Sequence, residues 1–250
     1  MKRLADRLVE FRLGCMLLTR IPAGRLPEPA PDLPQAGWSF PWIGVIVGLI
    51  TWIAFAGASG LGASPYVAAI LGLVALLLTT GAMHFDGLAD FADGIGGGRD
   101  KAHALDIMRD SRLGTYGVLV LVIACLLWVS CVASISTDLT LLQFIATAAL
   151  SRAAMLGVLI VMPPARSDGL GASAMGGRGW LSIVLIVVLT VAAFGVVGLG
   201  LILATILPTL AIAFLAYRKI AGQTGDILGA SQVGAELGCW IFLTAAMTQP

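Results

Sequence analysis

Long apolar runs separated by short polar stretches set the pattern of this chain. They cover residues 41–60, 66–85, 115–135, 141–162, 180–197, 201–217 and 232–248. Each approaches the roughly 20 residues that an α-helix needs to cross a bilayer, so the pattern predicts about seven transmembrane helices. The fifth and sixth runs are separated only by Gly198–Gly200, which leaves open one bent segment in place of two, and Pro208 is expected to kink the sixth. Ahead of the first run, residues 1–20 alternate Arg, Lys, Asp and Glu with Leu, Val, Phe and Met, as in an amphipathic helix lying on a membrane surface. Prolines from Pro22 to Pro41 then predict an extended connector, closed by Trp38 and Trp42 as interfacial anchors.

Composition agrees with a protein that folds in lipid. Of 250 residues, 58% are hydrophobic and 12% charged, and the mean hydropathy of +0.97 exceeds what a water-soluble domain can bury. The expectation is an all-α polytopic membrane protein forming a single domain, with residues 1–40 as interfacial helix and connector and 41–250 as the bundle. The four cysteines have no CxxC spacing and are read as packing residues. No cleavable signal peptide is expected, because residues 1–12 are charged throughout.

Charge placement gives an orientation. Lys2, Arg3, Arg7, Arg12, Arg20 and Arg25 precede the first run; Arg99, Lys101, Arg109 and Arg112 follow the second; Arg166, Arg178, Arg218 and Lys219 lie in the next two alternate connections. With seven spans, all of these fall on one side, expected to be cytoplasmic by the positive-inside rule. Residues 86–114, 163–179 and 218–231 then emerge together. The second of these begins PPARSDGLG (163–171), and the third contains GQTGDILGA (222–230). Glycines beside Asp and Arg let backbone amides approach an anion.

Acid is concentrated in HFDGLADFADG, residues 84–94. Asp86, Asp90 and Asp93 recur at i, i+4 and i+7, one face of a helix. Such a stripe suits a hard cation held by oxygen, so the three are candidate Mg²⁺ or Mn²⁺ ligands. Asp106 and Asp110 follow at i, i+4, with Arg109, Ser111 and Arg112 beside them as candidate phosphate-binding groups. Arg152 and Glu236 fall within apolar runs, where a charge must face the bundle interior, either as a structural ion pair or toward a substrate. Arg166 is added from the second connection, and Asp226 in the third is expected to complete the acid site with Glu236 or else to cap the last helix. His84 and His103 bracket the acidic stretch and are left out of the metal set.

Four segments, LTRIP (18–22), residues 84–94, IMRDSRLG (107–114) and TGDILGA (224–230) with Glu236, occur in the order found in the cobalamin-5′-phosphate synthase family, which this chain resembles over nearly its whole length. The resemblance implies a Mg²⁺-dependent transferase of the inner membrane. It would join adenosylcobinamide-GDP to α-ribazole or its 5′-phosphate and release GMP, with the site facing the cytoplasm. Asp93 and Asp110 are then the candidate catalytic acids, and which one acts as base stays open. Partners would be these small molecules and the bilayer, with no nucleic acid; a homo-oligomer is compatible. A looser likeness to CDP-alcohol phosphotransferases rests on Asp90-Phe-Ala-Asp93-Gly94 and on Asp106 with Asp110, but Gly96-Gly97 stands where that family carries Ala-Arg. An ion-coupled transporter is the non-enzyme alternative, and it predicts acids at the bilayer midplane.

Overall fold

The computed structural model describes residues 4–174, 176 and 178–247; residues 1–3 of the expected surface helix and residue 248 of the last run lie outside them. Twelve helices follow one another among these residues: α1 (Leu4–Leu18), α2 (Leu33–Ala36), α3 (Phe40–Gly60), α4 (Pro65–Thr80), α5 (Met83–Gly97), α6 (Lys101–Ile107), α7 (Thr115–Ser134), α8 (Leu141–Val161), α9 (Leu170–Ser173), α10 (Trp180–Phe194), α11 (Val196–Ile220) and α12 (Gly225–Met247). The all-α membrane architecture stands, and each of the seven apolar runs contains most of one helix.

Five helices are long and apolar enough to cross a membrane by themselves: α3 with its short lead-in, α7, α8, α11 and α12. The other two predicted spans are short. At 1.5 Å per residue, the 16 residues of α4 extend about 24 Å and the 15 of α10 about 22 Å, below the roughly 30 Å of bilayer hydrocarbon. The fifth and sixth runs are separate helices, broken at Gly195, whose φ of 57° favours glycine. Helix α11 continues without a break through Pro208.

Helix α12 is the hub, packed against α5, α7, α8 and α11. Helix α3 approaches α8 closely because Gly44 and Gly48 lie on the α8 backbone at Ala148 and Phe144, the small-residue contact by which membrane helices pack. Two expectations need correction in the N-terminal part. The Pro-rich connector is not extended to its end, since α2 forms with Pro34 in its first turn, where a missing N–H costs nothing. Helix α1 is present, but Glu10 is buried while Leu4 and Leu8 are exposed. Glu10 accepts from Arg7 and from the indole of Trp38, both at 2.9 Å, so this face docks on the protein.

The feature that builds the site is a turn of 88° between α4 and α5. Gly81 and Ala82 both take positive φ, 63° and 56°, which ends α4, and the backbone N–H of Arg20 donates to Thr79 at 2.7 Å beside the turn. Helices α4 and α5 together are long and apolar enough for one span, broken by this turn. The acidic stretch is therefore helical, as the spacing of its aspartates requires.

Candidate active site

Helix α5 buries His84, Phe85, Leu88 and Phe91, and its three aspartates grade from exposed to enclosed. Asp86 is exposed, Asp90 half-buried and Asp93 buried. Asp93 accepts the backbone N–H of Gly114 at 2.7 Å on one oxygen and that of Gly117 at 2.9 Å on the other. It thus satisfies amides at the start of α7, which would otherwise be orphaned, and a Cβ on Gly114 or Gly117 would collide with it. The three acids differ in setting: Asp93 caps a helix, Asp86 is exposed and Asp90 is half-buried.

A different acid joins those two. Helix α12 lies against α5 at Gly87 and Gly229: a Cβ on Gly87 would stand 3.1 Å from the Asp226 backbone, and one on Gly229 3.1 Å from the His84 carbonyl. That approach brings Asp226 beside Asp86. The Asp90 carboxyl is pushed up to about 7, by its partial burial first and then by the charges of Asp86, Asp226 and Asp93. Asp226 is not the helix cap, because the Thr224 hydroxyl takes the N–H of Ile227 at 3.4 Å and itself donates to Asp226 at 3.0 Å.

Among the described residues no three His, Cys, Asp or Glu converge tightly enough to enclose a cation. Mg²⁺ seldom needs such a cage, being held by one or two carboxylates with waters and phosphate oxygens. The mutually repelling oxygens of Asp86, Asp90 and Asp226 fit that mode, whereas Asp93, already committed to two amides, fits it less well.

The three connections expected on one side do meet. Ala165 donates to the Gln223 carbonyl at 2.9 Å and Gln223 to the Pro163 carbonyl at 2.8 Å, joining the 163–169 turn to the start of α12. Arg109 pairs with Asp168 of that turn at 2.6 Å. Arg166 stands 3.7 Å from the same carboxylate, close enough to Asp226 for their charges to attract, and its Nη1 is buried without a hydrogen-bond partner. The third connection is only residues 221–224, since Arg218 and Lys219 end α11 and Asp226 begins α12.

Asp110 and Arg112 pair with each other at 2.6 Å in the turn after α6. The Arg112 guanidinium holds the Asp110 carboxyl down at about 2, which makes it a poor base. Ser111 between them is exposed. His103 belongs to the α6 cap: its N–H donates to Asp100 at 2.9 Å.

Arg152 is fully buried. It lies 3.4 Å from Glu236, which also accepts from Gln232 at 2.7 Å and from the Trp128 indole at 3.2 Å. The pair ties two helices of the bundle, and the Arg152 Nε and Nη2 are left without a hydrogen-bond partner. Sequence spacing did not single out Trp128 or Gln232, although Gln232 and Glu236 at i, i+4 share a helix face.

A family model described as cobalamin-5-phosphate synthase matches residues 10–244. Curated relatives include the adenosylcobinamide-GDP ribazoletransferases of Bradyrhizobium diazoefficiens, 40% identical with 97% of this chain and 95% of the relative covered, and of Xanthobacter autotrophicus, 40% identical with 92% and 91% covered. That of Rhizobium johnstonii is 35% identical, covering 98% and 100%. No solved structure matches.

Proposed function

Since the chain belongs to the cobalamin-5-phosphate synthase family, we propose that it is an adenosylcobinamide-GDP ribazoletransferase whose site is the meeting point of α5, α12 and the 163–169 turn. The observation that carries this reading is the approach of Asp226 to Asp86 and Asp90 beneath Arg166, which sets acids for a cation beside a guanidinium for phosphate. A ribose hydroxyl of α-ribazole, or of its 5′-phosphate, attacks the phosphorus attached to the cobinamide side. One P–O bond forms, the bond to the guanosine phosphate breaks, and GMP leaves.

Asp86, Asp90 and Asp226 are the residues that would hold Mg²⁺; bound there, the ion supplies Lewis acidity and neutralises phosphate charge. Arg166, with an unpartnered Nη1, is suited to the charge that develops on the departing phosphate. A cation held among these acids would draw the Asp90 carboxyl down from the value of about 7 that it has without one, so Asp90 serves the ion. Asp110 and Asp93, each already engaged, support the turn after α6 and the start of α7. The basic residues flanking this end argue for a cytoplasmic-facing site in the cell's inner membrane.

The test is GMP release by purified protein in detergent or vesicles, with adenosylcobinamide-GDP and α-ribazole. Release that needs Mg²⁺, is lost with chelator and falls at least 100-fold in Asp86→Asn or Asp226→Asn is expected. Undiminished turnover in chelator would overturn the metal assignment, and no GMP under any condition would overturn the activity.

A further inference from the structure

Directly under the acids lies a cavity of about 150 Å³, walled by Leu18, Phe40, Met155, Leu159 and Leu228, with Asp86 and Asp226 also on its lining. Pockets for drug-sized ligands run to about 300–1,000 Å³, so this one accommodates a single small ring system and excludes a corrin or a guanosine. The apolar part of its wall is aliphatic apart from Phe40 and the Met83 and Met155 thioethers, surfaces that take the face and edge of an aromatic ring. One buried polar group lies in that wall. His84 lines the cavity, is 3% exposed, and its Nε2 has no hydrogen-bond partner, a state that costs free energy unless a ligand or water relieves it.

We propose that this cavity seats the flat nitrogen-containing base of the riboside acceptor, with His84 Nε2 hydrogen-bonding a ring nitrogen. The inference rests on the transferase reading and adds the subsite that selects the acceptor. With the base enclosed among Phe40, Met155 and Leu159, the attached ribose emerges at Asp86 and Asp226, where its hydroxyl must react. The cavity therefore orients the nucleophile by holding the part of the molecule that does not react. Another cavity, of about 290 Å³ between α8, α10 and α11, is lined by no charged side chain and by exposed membrane-facing residues such as Leu210 and Val161; it offers nothing to orient a polar substrate.

The experiment measures KM separately for riboside and for adenosylcobinamide-GDP, together with direct binding of α-ribazole by saturation-transfer NMR in detergent without the corrinoid. Met155→Trp, which fills the cavity, should raise the riboside KM at least 10-fold and abolish the NMR signal while the KM for the GDP substrate stays within 2-fold. Leu159→Ala, which enlarges it, should shift preference at least 10-fold toward a riboside carrying a base one ring larger. His84→Leu should raise the riboside KM where His84→Gln, which still offers an N–H, largely restores it. Equal effects on both KM values, or unaltered riboside binding in Met155→Trp with no change of preference in Leu159→Ala, would overturn the inference. Either result in protein that still releases GMP leaves the transferase reading standing, whereas wild type that binds the riboside but never releases GMP would sink that reading and not the cavity.

Discussion

Asp90 differs from a solvated carboxylate in the company it keeps: Asp86, Asp93 and Asp226 all raise it, on top of partial burial, to about 7. A carboxylate raised in the folded state weakens folding as pH climbs from the ordinary carboxylate value to about 7, because the unfolded chain releases its proton first. Proton and cation compete for the same oxygens. Apparent Mg²⁺ affinity should consequently rise close to tenfold per pH unit up to about pH 7 and then level off, which a metal titration of GMP release from about pH 5.5 to about 8 would record. A flat profile below pH 7 would remove Asp90 from the cation site. Asp110 behaves in the opposite way. Its carboxyl is held down at about 2 by the exposed Arg112, so no ionisation of Asp110 should appear near neutrality. Asp110→Asn is expected to keep kcat within about 5-fold, while Asp90→Asn loses about 100-fold or more; the reverse order would reinstate Asp110 as the base.

Helix α5 owes its use to what holds its two ends. At one end the break at Gly81 and Ala82 turns it 88° from α4, and at the other Asp93 receives the first amides of α7. Replacing Asp93 by Ala should destabilise the protein by about 1–2 kcal/mol through loss of the cap. Asp93→Asn keeps one accepting oxygen and should lose less, as thermal unfolding in detergent would show; equal losses would argue that the charge matters more than the cap. Between these ends, Gly87 and Gly229 set the separation of α5 and α12. A β-carbon at Gly87 must push on the Asp226 backbone, so Gly87→Ala should lower kcat at least 10-fold with Asp86 and Asp226 both present. Wild-type activity in that variant would show that the two acids need no fixed spacing.

Across the whole molecule, the buried Arg152–Glu236 pair joins α8 to α12 and, through Trp128, to α7. Removing one member strands the other charge, a loss of about 3–5 kcal/mol. Arg152→Met and Glu236→Leu together should therefore cost less than either alone, and a strictly additive double variant, measured by reversible unfolding, would dismiss the pair as a structural tie. The orientation is tested with single cysteines on a cysteine-free background: position 101 should resist an impermeant thiol reagent added from the periplasmic side, and labelling there would invert the arrangement.

Sequence by itself determined the apolar runs, the one-sided Lys and Arg and the helical spacing of Asp86, Asp90 and Asp93, because burial in lipid and helix periodicity act residue by residue along a chain. It also carried the four short segments that mark the family. Those signals were enough for the all-α membrane fold and for the nature of the enzyme. They were silent on which acids are equivalent. Asp93 reads like Asp86 in one dimension, yet the 88° turn after α4 points it at the amides of α7, and only the Gly87–Gly229 contact brings Asp226 to Asp86 across more than half the chain. Arg152 and Glu236 were legible as buried charges and as one of two open pairings, but residues 84 positions apart meet only once their helices pack. Pairing, capping and the enclosure of the cavity beneath the acids depend on distances between helices, and packing of the folded bundle alone decides those.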